Sequence, residues 1–231
     1  VPYGSKSRQT IIRYSRQIVR FLRTQDVKAI VVACNTASAL ALSDIEKEID
    51  IPIIGVMKPG ARAAAAATKN GRIGVIGTES TIRSGMYSRF LQEINPNITV
   101  VGKACPLFVP LVEEGWLKDP VTEEVARRYL EELTRVEIDV LILGCTHYPL
   151  LRSTVKKVVG GQVELVNPAY ETAQELKRLL ADQDLLNPGV KEEEFPYRFY
   201  VSDAAEKFKQ FANSILPYDV RVTQQINIEE Y

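Results

Sequence analysis

Two segments of the sequence end an apolar run in a small residue, a cysteine and then hydrogen-bonding side chains. Val27-Lys28-Ala29-Ile30-Val31-Val32-Ala33-Cys34-Asn35-Thr36 matches Ile138-Asp139-Val140-Leu141-Ile142-Leu143-Gly144-Cys145-Thr146-His147 in this pattern. In each copy a buried strand would deliver its cysteine to the start of a helix, and Pro149 suits the first turn of the second helix because its missing N–H is no loss there. Ligands of open α/β sheets gather at the carboxyl ends of strands, where both thiols would stand. A helix N-terminus lowers a cysteine pKa from its free value of about 8.5 and offers amide donors to a carboxylate. Asn35, Thr36 and Thr146 add side-chain hydrogen bonds that could hold a substrate in register. Two facing thiols suit inversion of a stereocentre by proton transfer. That reaction needs a base on one face of the carbon and an acid on the other, because a single base tends to return the proton to the face it left.

The competing reading is packing. Free cysteine is among the most buried residue types, and one cysteine ending a strand reads as core. Two in repeated contexts followed by polar residues read as chemistry. His147 is the only histidine in the chain and the one side chain that ordinarily titrates near neutrality. Beside Cys145 it reads as a group that tunes that thiol. Cys105, set in Pro106-Leu107-Phe108-Val109 with no polar partners, reads as a buried structural thiol. Gly77-Thr78-Glu79-Ser80-Thr81 lacks the glycine spacing of the phosphate-binding fingerprints, so Thr78 or Ser80 reads as a helix cap. Glu113 and Glu114 read as solvated surface.

The elements that would position these groups alternate short β-branched runs with helical patterns, which indicates an α/β chain with mainly parallel sheets. Strands are expected at 29–33, 53–56, 72–76, 98–101, 140–143, 163–166, 198–201 and 220–222. The spacing of Ile11, Ile12, Ser15, Ile18, Val19 and Leu22 predicts a helix over 6–24. Further helices are expected through Leu40, Leu42 and Ile45, along the alanine-rich stretch ending near Asn70-Gly71, through Phe90 and Leu91, over 122–135, over 149–159, from Pro168 to near Leu180, and over 203–213. Residues 183–197 read as an exposed loop. Crossings near Lys58-Pro59 and Asn167-Pro168 divide the chain into two domains, 1–58 with 169–231 and 59–168, with the site in the cleft between them.

The 231 residues are 45% hydrophobic and 25% charged, ordinary for a globular enzyme. Twenty-nine basic residues balance twenty-nine acidic ones, which leaves no electrostatic footprint for nucleic acid or an anionic membrane. No apolar stretch is long enough to span a bilayer. Three cysteines, an odd number with no Cys-x-x-Cys spacing, argue against a disulfide framework and for a reducing cytoplasm. One histidine leaves few ligands for a zinc site. The opening Val1-Pro2-Tyr3-Gly4-Ser5 reads as a loop that an earlier segment would precede.

Ala33-Cys34-Asn35-Thr36-Ala37 and Gly144-Cys145-Thr146-His147-Tyr148-Pro149-Leu150-Leu151 resemble the two signature segments of the glutamate racemases, members of the aspartate/glutamate racemase superfamily. Pro2-Tyr3-Gly4-Ser5, Pro59-Gly60-Ala61-Arg62-Ala63-Ala64 and Ile73-Gly74-Val75-Ile76-Gly77-Thr78 are also similar to stretches of that family. The resemblance covers essentially the whole chain, and the Cys-Thr-His form favours the glutamate members. It implies two similar α/β domains with glutamate bound between them, chemistry without pyridoxal phosphate or any other cofactor, and no metal. It further implies a homodimer, a cytoplasmic location and supply of D-glutamate for bacterial peptidoglycan.

Residue by residue, the resemblance implies Cys34 and Cys145 as the acid/base pair, with His147 assisting Cys145. Tyr3, Gly4, Asn35, Thr36, Thr146 and His147 would contact substrate, and Glu113 stands where some members place a carboxylate near that histidine. One departure is marked. The family opens with a strand and an Asp-Ser-Gly-Val-Gly-Gly-like loop that nothing here matches, so an N-terminal segment carrying part of the site is expected to be missing. From the residues alone, racemisation of aspartate or another amino acid, non-catalytic binding of an acidic amino acid, and a cysteine hydrolase remain open.

Overall fold

The computed structural model describes residues 3–187, 189 and 197–231. A 3-10 turn at Tyr3–Ser5 leads into α1 (Arg8–Arg23), β1 (Ile30–Val32), α2 (Asn35–Leu40), α3 (Leu42–Ile45) and β2 (Ile53–Gly55). α4 (Met57–Ala67) then leads to β3 (Arg72–Gly77), α5 (Glu79–Arg83), α6 (Met86–Ile94), β4 (Thr99–Ala104), α7 (Phe108–Glu113) and α8 (Pro120–Arg135). β5 (Val140–Gly144), α9 (Arg152–Val159), β6 (Glu164–Val166) and α10 (Pro168–Asp182) follow, and β7 (Phe199–Val201), α11 (Ala205–Ile215) and β8 (Thr223–Gln225) come last.

Every strand pairing described is parallel. The main sheet has the order β4-β3-β5-β6. β5 is buried along its whole length, because helices cover both faces of the sheet, which is why its run of Val, Leu and Ile shows no alternation. On one face Met57, Ala61 and Ala64 of α4 and Leu91 of α6 pack against Val75, Val140 and Ile142. On the other, Ala126, Leu130 and Leu133 of α8 and Val155 and Val159 of α9 pack against Ile76, Leu141 and Leu143. A second, two-stranded sheet pairs β1 with β2, Ile30 opposite Ile53 and Val32 opposite Gly55. Its core is Ile11, Ile12 and Val19 of α1 with Ala37, Ala41 and Ile45.

The two expected crossings meet. A Cβ on Gly60 would lie 3.0 Å from Pro168 Cβ and Cγ, so the small residue lets α4 and α10 touch. Arg62 and Glu175 pair further along the same two helices.

Several expectations shift for physical reasons. The single helix expected through Phe90 is two, broken at Gly85, whose φ of 65° ends one helix and starts the next. The helix expected through Leu40 and Ile45 also divides, at Ala41, with φ −123°. Residues 148–151 form a 3-10 turn before α9, with tight bonds from Tyr148 N to Cys145 O and Leu150 N to His147 O. The strand expected at 220–222 is displaced to β8. Val220 is buried, but its N–H bonds the Asn213 side chain at 2.6 Å instead of entering a ladder. Ile18 faces outward at 39% exposure, while Phe21 is buried edge-on against Tyr200 and Tyr231. α7 had no counterpart in the sequence reading. Within the loop expected at 183–197, residues 188 and 190–196 lie outside the described residues. Among the described residues no helix is long and apolar enough to cross a membrane.

The start of β5 is tied down by charge. Asp139 accepts from Thr68 Oγ1 at 2.6 Å and from the amides of Lys69 and Asn70 at 2.5 and 2.8 Å, closing the turn after α4. Burial alone would push this carboxyl up, but the hydroxyl and amide donors outweigh it and hold its pKa below the ordinary value. A carboxylate with a depressed folded pKa stabilises fully above its unfolded value and loses that contribution as pH falls through the folded one. Asp139→Asn should therefore cost about 1–3 kcal/mol at neutral pH. In urea melts that cost shrinks as pH drops below about 4.

Candidate active site

β1 ends two residues before Cys34, which occupies the N-cap of α2 in extended conformation. The amides of Ala37 and Thr36 and the Thr36 hydroxyl lie on the side of its sulfur and favour its charged form. β5 ends at Gly144, so Cys145 sits at the matching carboxyl end of the larger sheet, 8% exposed. The amides of His147 and Thr146 and the Thr146 hydroxyl lie on the side of its sulfur and favour its charged form. The repeat in the sequence is thus a repeat in the structure: two strand-end cysteines, each met by donors from the two or three residues that follow it.

The thiol pKa values run opposite to the sequence expectation. Burial pushes Cys34 above the ordinary thiol value, with its amide and Thr36 donors pulling back only in part. Burial likewise pushes Cys145 up to about 11, and the charge of Cys34 adds to the rise. The charge of Cys34 reaches Cys145, so the two sulfurs lie within electrostatic range of each other. Tyr3 joins them: burial, then the Cys34 charge, raises its phenol to about 12, so it stays a hydroxyl donor.

One wall of the site gathers Tyr3, Gly4, Cys34, Asn35 and Thr36, and the elements after β3 grip it. Thr36 Oγ1 lies 2.9 Å from Thr78 Oγ1 and 3.2 Å from Thr81 Oγ1, and Thr78 Oγ1 donates to Thr81 Oγ1 at 3.1 Å. Ser80 Oγ donates to Gly4 O at 2.8 Å. Gly4 is required here, since a Cβ would come within 2.7 Å of Thr78 Cβ. Tyr87 donates its hydroxyl to Asn35 Oδ1 at 2.6 Å.

The other wall gathers Cys145, Thr146 and His147. His147 Nδ1 is 3.9 Å from Cys145 Sγ and 3.3 Å from Thr146 Oγ1, while Nε2 is 3.4 Å from Glu113 Oε1. Glu113, read from its own residues as solvated surface, stands behind the imidazole where the family resemblance put a carboxylate. Phe211 of α11 lies tilted over the histidine, ring centres 6.3 Å apart.

Thr78 does cap α5, accepting from Thr81 N at 3.2 Å, but capping was only half its work. Thr81, Tyr87 and Phe211 escaped the sequence reading. Thr81 and Tyr87 sit at ordinary helical core spacing, and Phe211 lies in a helix far along the chain, so no local pattern marked them. Cys105 is fully buried, as its apolar surroundings foretold, and its carbonyl accepts from Tyr148 Oη at 2.8 Å. A groove on the outer side of α1, lined by Arg13, Gln17, Arg20 and Glu229 among others, contains none of the expected site residues. Among the described residues no cluster of three His, Cys, Asp or Glu side chains could hold a metal ion.

The parallel α/β fold belongs to a class of enzymes, the amino-acid racemases. The chain belongs to the Asp/Glu/Hydantoin racemase family, whose pattern it matches over residues 1–176. It is 46% identical over 229 residues to a glutamate racemase of Geobacter metallireducens, covering 99% of this chain and 84% of that protein. Its fold superposes with a TM-score of 0.92 on the glutamate racemase isoform RacE1 of Bacillus anthracis, at 38% identity, over 97% of this chain and 83% of the other. A glutamate racemase of Francisella tularensis, solved in complex with D-glutamate, superposes with a TM-score of 0.91 at 36% identity, over 100% of this chain and 85% of the other.

The contact between Gly4 and Thr78 gives a direct test of the first wall. Gly4→Ala should cost about 1–3 kcal/mol of stability through overpacking. Displacing the Tyr3–Ser5 turn should also speed alkylation of Cys34 by iodoacetamide, followed by peptide mass mapping. Unchanged melting together with an unchanged alkylation rate would contradict this placement of the turn.

Proposed function

We propose that this chain is a glutamate racemase in which Cys34 and Cys145 exchange protons with opposite faces of the substrate α-carbon. The observation that carries the reading is a pair of thiols, Cys145 buried and Cys34 partly so, each just past a parallel-strand end and each facing donors of the residues that follow it. Burial disfavours either charge and mutual repulsion opposes a second one, as for two carboxylates sharing a site, so the pair carries at most one thiolate. The ammonium of an amino acid entering between them favours that single thiolate.

The thiolate takes the proton as the Cα–H bond breaks, and the opposing thiol delivers its own proton to the other face. Each cysteine is base for one enantiomer and acid for the other. A turnover leaves the charge on the opposite sulfur. Reset returns one proton from Cys34 to solvent and one from solvent to Cys145, the latter by way of His147, backed by Glu113. Tyr3, Gly4, Asn35, Thr36, Thr146 and His147 hold the carboxylates and ammonium by hydrogen bonds. Tyr3 is suited to donate because its phenol stays protonated throughout the working range.

The two walls belong to two domains, 1–58 with 169–231 and 59–168, and substrate enters where they face each other. The abutting connections at Gly60 and Pro168 support a hinge there. The product D-glutamate would serve peptidoglycan synthesis in the cytoplasm. The active form is a homodimer, which light scattering of the purified protein tests.

The deciding experiment is conversion of L- to D-glutamate and the reverse, with exchange of the α-hydrogen in deuterated water. Cys34→Ala and Cys145→Ala should each lower both conversions by about 10²–10⁴-fold, the usual contribution of a general acid or base, with melting temperatures near wild type. Full activity in either variant would contradict the two-thiol assignment. Faster turnover of aspartate than of glutamate would move the substrate assignment, and binding of glutamate without conversion by the unsubstituted chain would make it a binding protein.

A further inference from the structure

Tyr87 is a buried polar residue that the reaction outlined above does not use. It lies on α6 inside the apolar cluster of Met57, Ala61, Ala64, Val75, Leu91 and Ile142, 3% exposed. A hydroxyl in such a place needs a partner, because an unsatisfied buried donor or acceptor is costly. Its partner is Asn35 Oδ1 at 2.6 Å, fifty-two residues away in sequence and immediately after Cys34. The edge of the same ring rests on the residue immediately before Cys145: a Cβ on Gly144 would meet Tyr87 Cε2 at 3.3 Å and Ile76 O at 2.6 Å. One side chain therefore touches both cysteine motifs, by its hydroxyl on one and by its ring on the other.

We propose that Tyr87 is a positioning residue that fixes the rotamer of Asn35 from across the cleft, turning the Asn35 amide nitrogen toward the substrate. An asparagine side chain carries an acceptor and a two-hydrogen donor that are nearly the same shape. With the oxygen occupied by Tyr87, the nitrogen is the group left to meet an anionic carboxylate. Without the phenol hydroxyl the amide can turn over and present oxygen to that carboxylate, which is repulsive. The ring's seat on Gly144 keeps this hydrogen bond in a fixed relation to the strand that carries Cys145. Burial holds the phenol well above its ordinary pKa, so the donor persists at every working pH.

This inference rests on the racemase reading, and the test separates the two. Tyr87→Phe keeps the ring and removes the hydroxyl. It should lower kcat/KM for both enantiomers of glutamate about tenfold, chiefly by raising KM, as expected for a buried acceptor left unpaired. In an Asn35→Ala background the same substitution should change kcat/KM by less than about twofold, because residues that act through each other are not additive.

Wild-type kinetics for Tyr87→Phe, or the same tenfold loss with and without Asn35, overturns the proposal. If the unsubstituted protein binds glutamate without interconverting its enantiomers, the racemase reading fails instead. Should Tyr87→Phe not fold, NMR of the unsubstituted protein supplies the measurement. A slowly exchanging Tyr87 hydroxyl proton with a nuclear Overhauser contact to the Asn35 side chain upholds the proposal, and its absence overturns it.

Discussion

Two ionisable sulfurs within electrostatic range of each other, Cys145 buried and Cys34 partly so, set the terms for the rest of this structure. Burial raises the pKa of each, and the charge of one raises the other further. A site built this way admits at most one charge between its two thiols unless something offsets the desolvation. The protein supplies partial offsets from its own backbone: amides of the residues that follow each cysteine, together with the hydroxyls of Thr36 and Thr146. These donors pull both thiols back without reaching the ordinary value, so a cationic group bound beside them would favour a thiolate further.

Parallel sheets make this arrangement possible. Every strand in a parallel sheet ends on the same side, and β1 and β5 each deliver a cysteine just past that end. The two sheets are then held facing each other by polar contacts that cross between them: the Thr36, Thr78 and Thr81 hydroxyls, Ser80 on the Gly4 carbonyl, and Tyr87 on Asn35. Hydroxyl contacts of this kind are individually modest in stability. They contrast with the apolar clusters that hold the helices to both faces of the main sheet.

The strands of the main sheet were legible because buried parallel strands read as continuous β-branched runs, as in Val140-Leu141-Ile142-Leu143. The cysteine pair was legible because its context repeats. What the sequence hid falls into three physical kinds. Short helical breaks depend on one backbone angle, as at Gly85 and Ala41. β8 has no apolar alternation, since Thr223-Gln224-Gln225 lies largely exposed beside β7. Residues such as Thr81, Tyr87 and Phe211 acquire their roles only through tertiary contact, because a threonine or tyrosine at core spacing in a helix looks the same whether its hydroxyl packs idly or reaches across a cleft. The amide donors beyond each cysteine do lower its pKa, but burial is larger, and burial cannot be read from a local motif.

Ultraviolet thiolate absorbance, titrated against pH in the unsubstituted protein and in Cys34→Ala, measures the coupling of the two sulfurs directly. Removing the Cys34 charge should lower the midpoint of Cys145 from about 11 toward the ordinary thiol value. A Cys145 midpoint that stays the same when Cys34 is gone would mean the two thiols do not share a site.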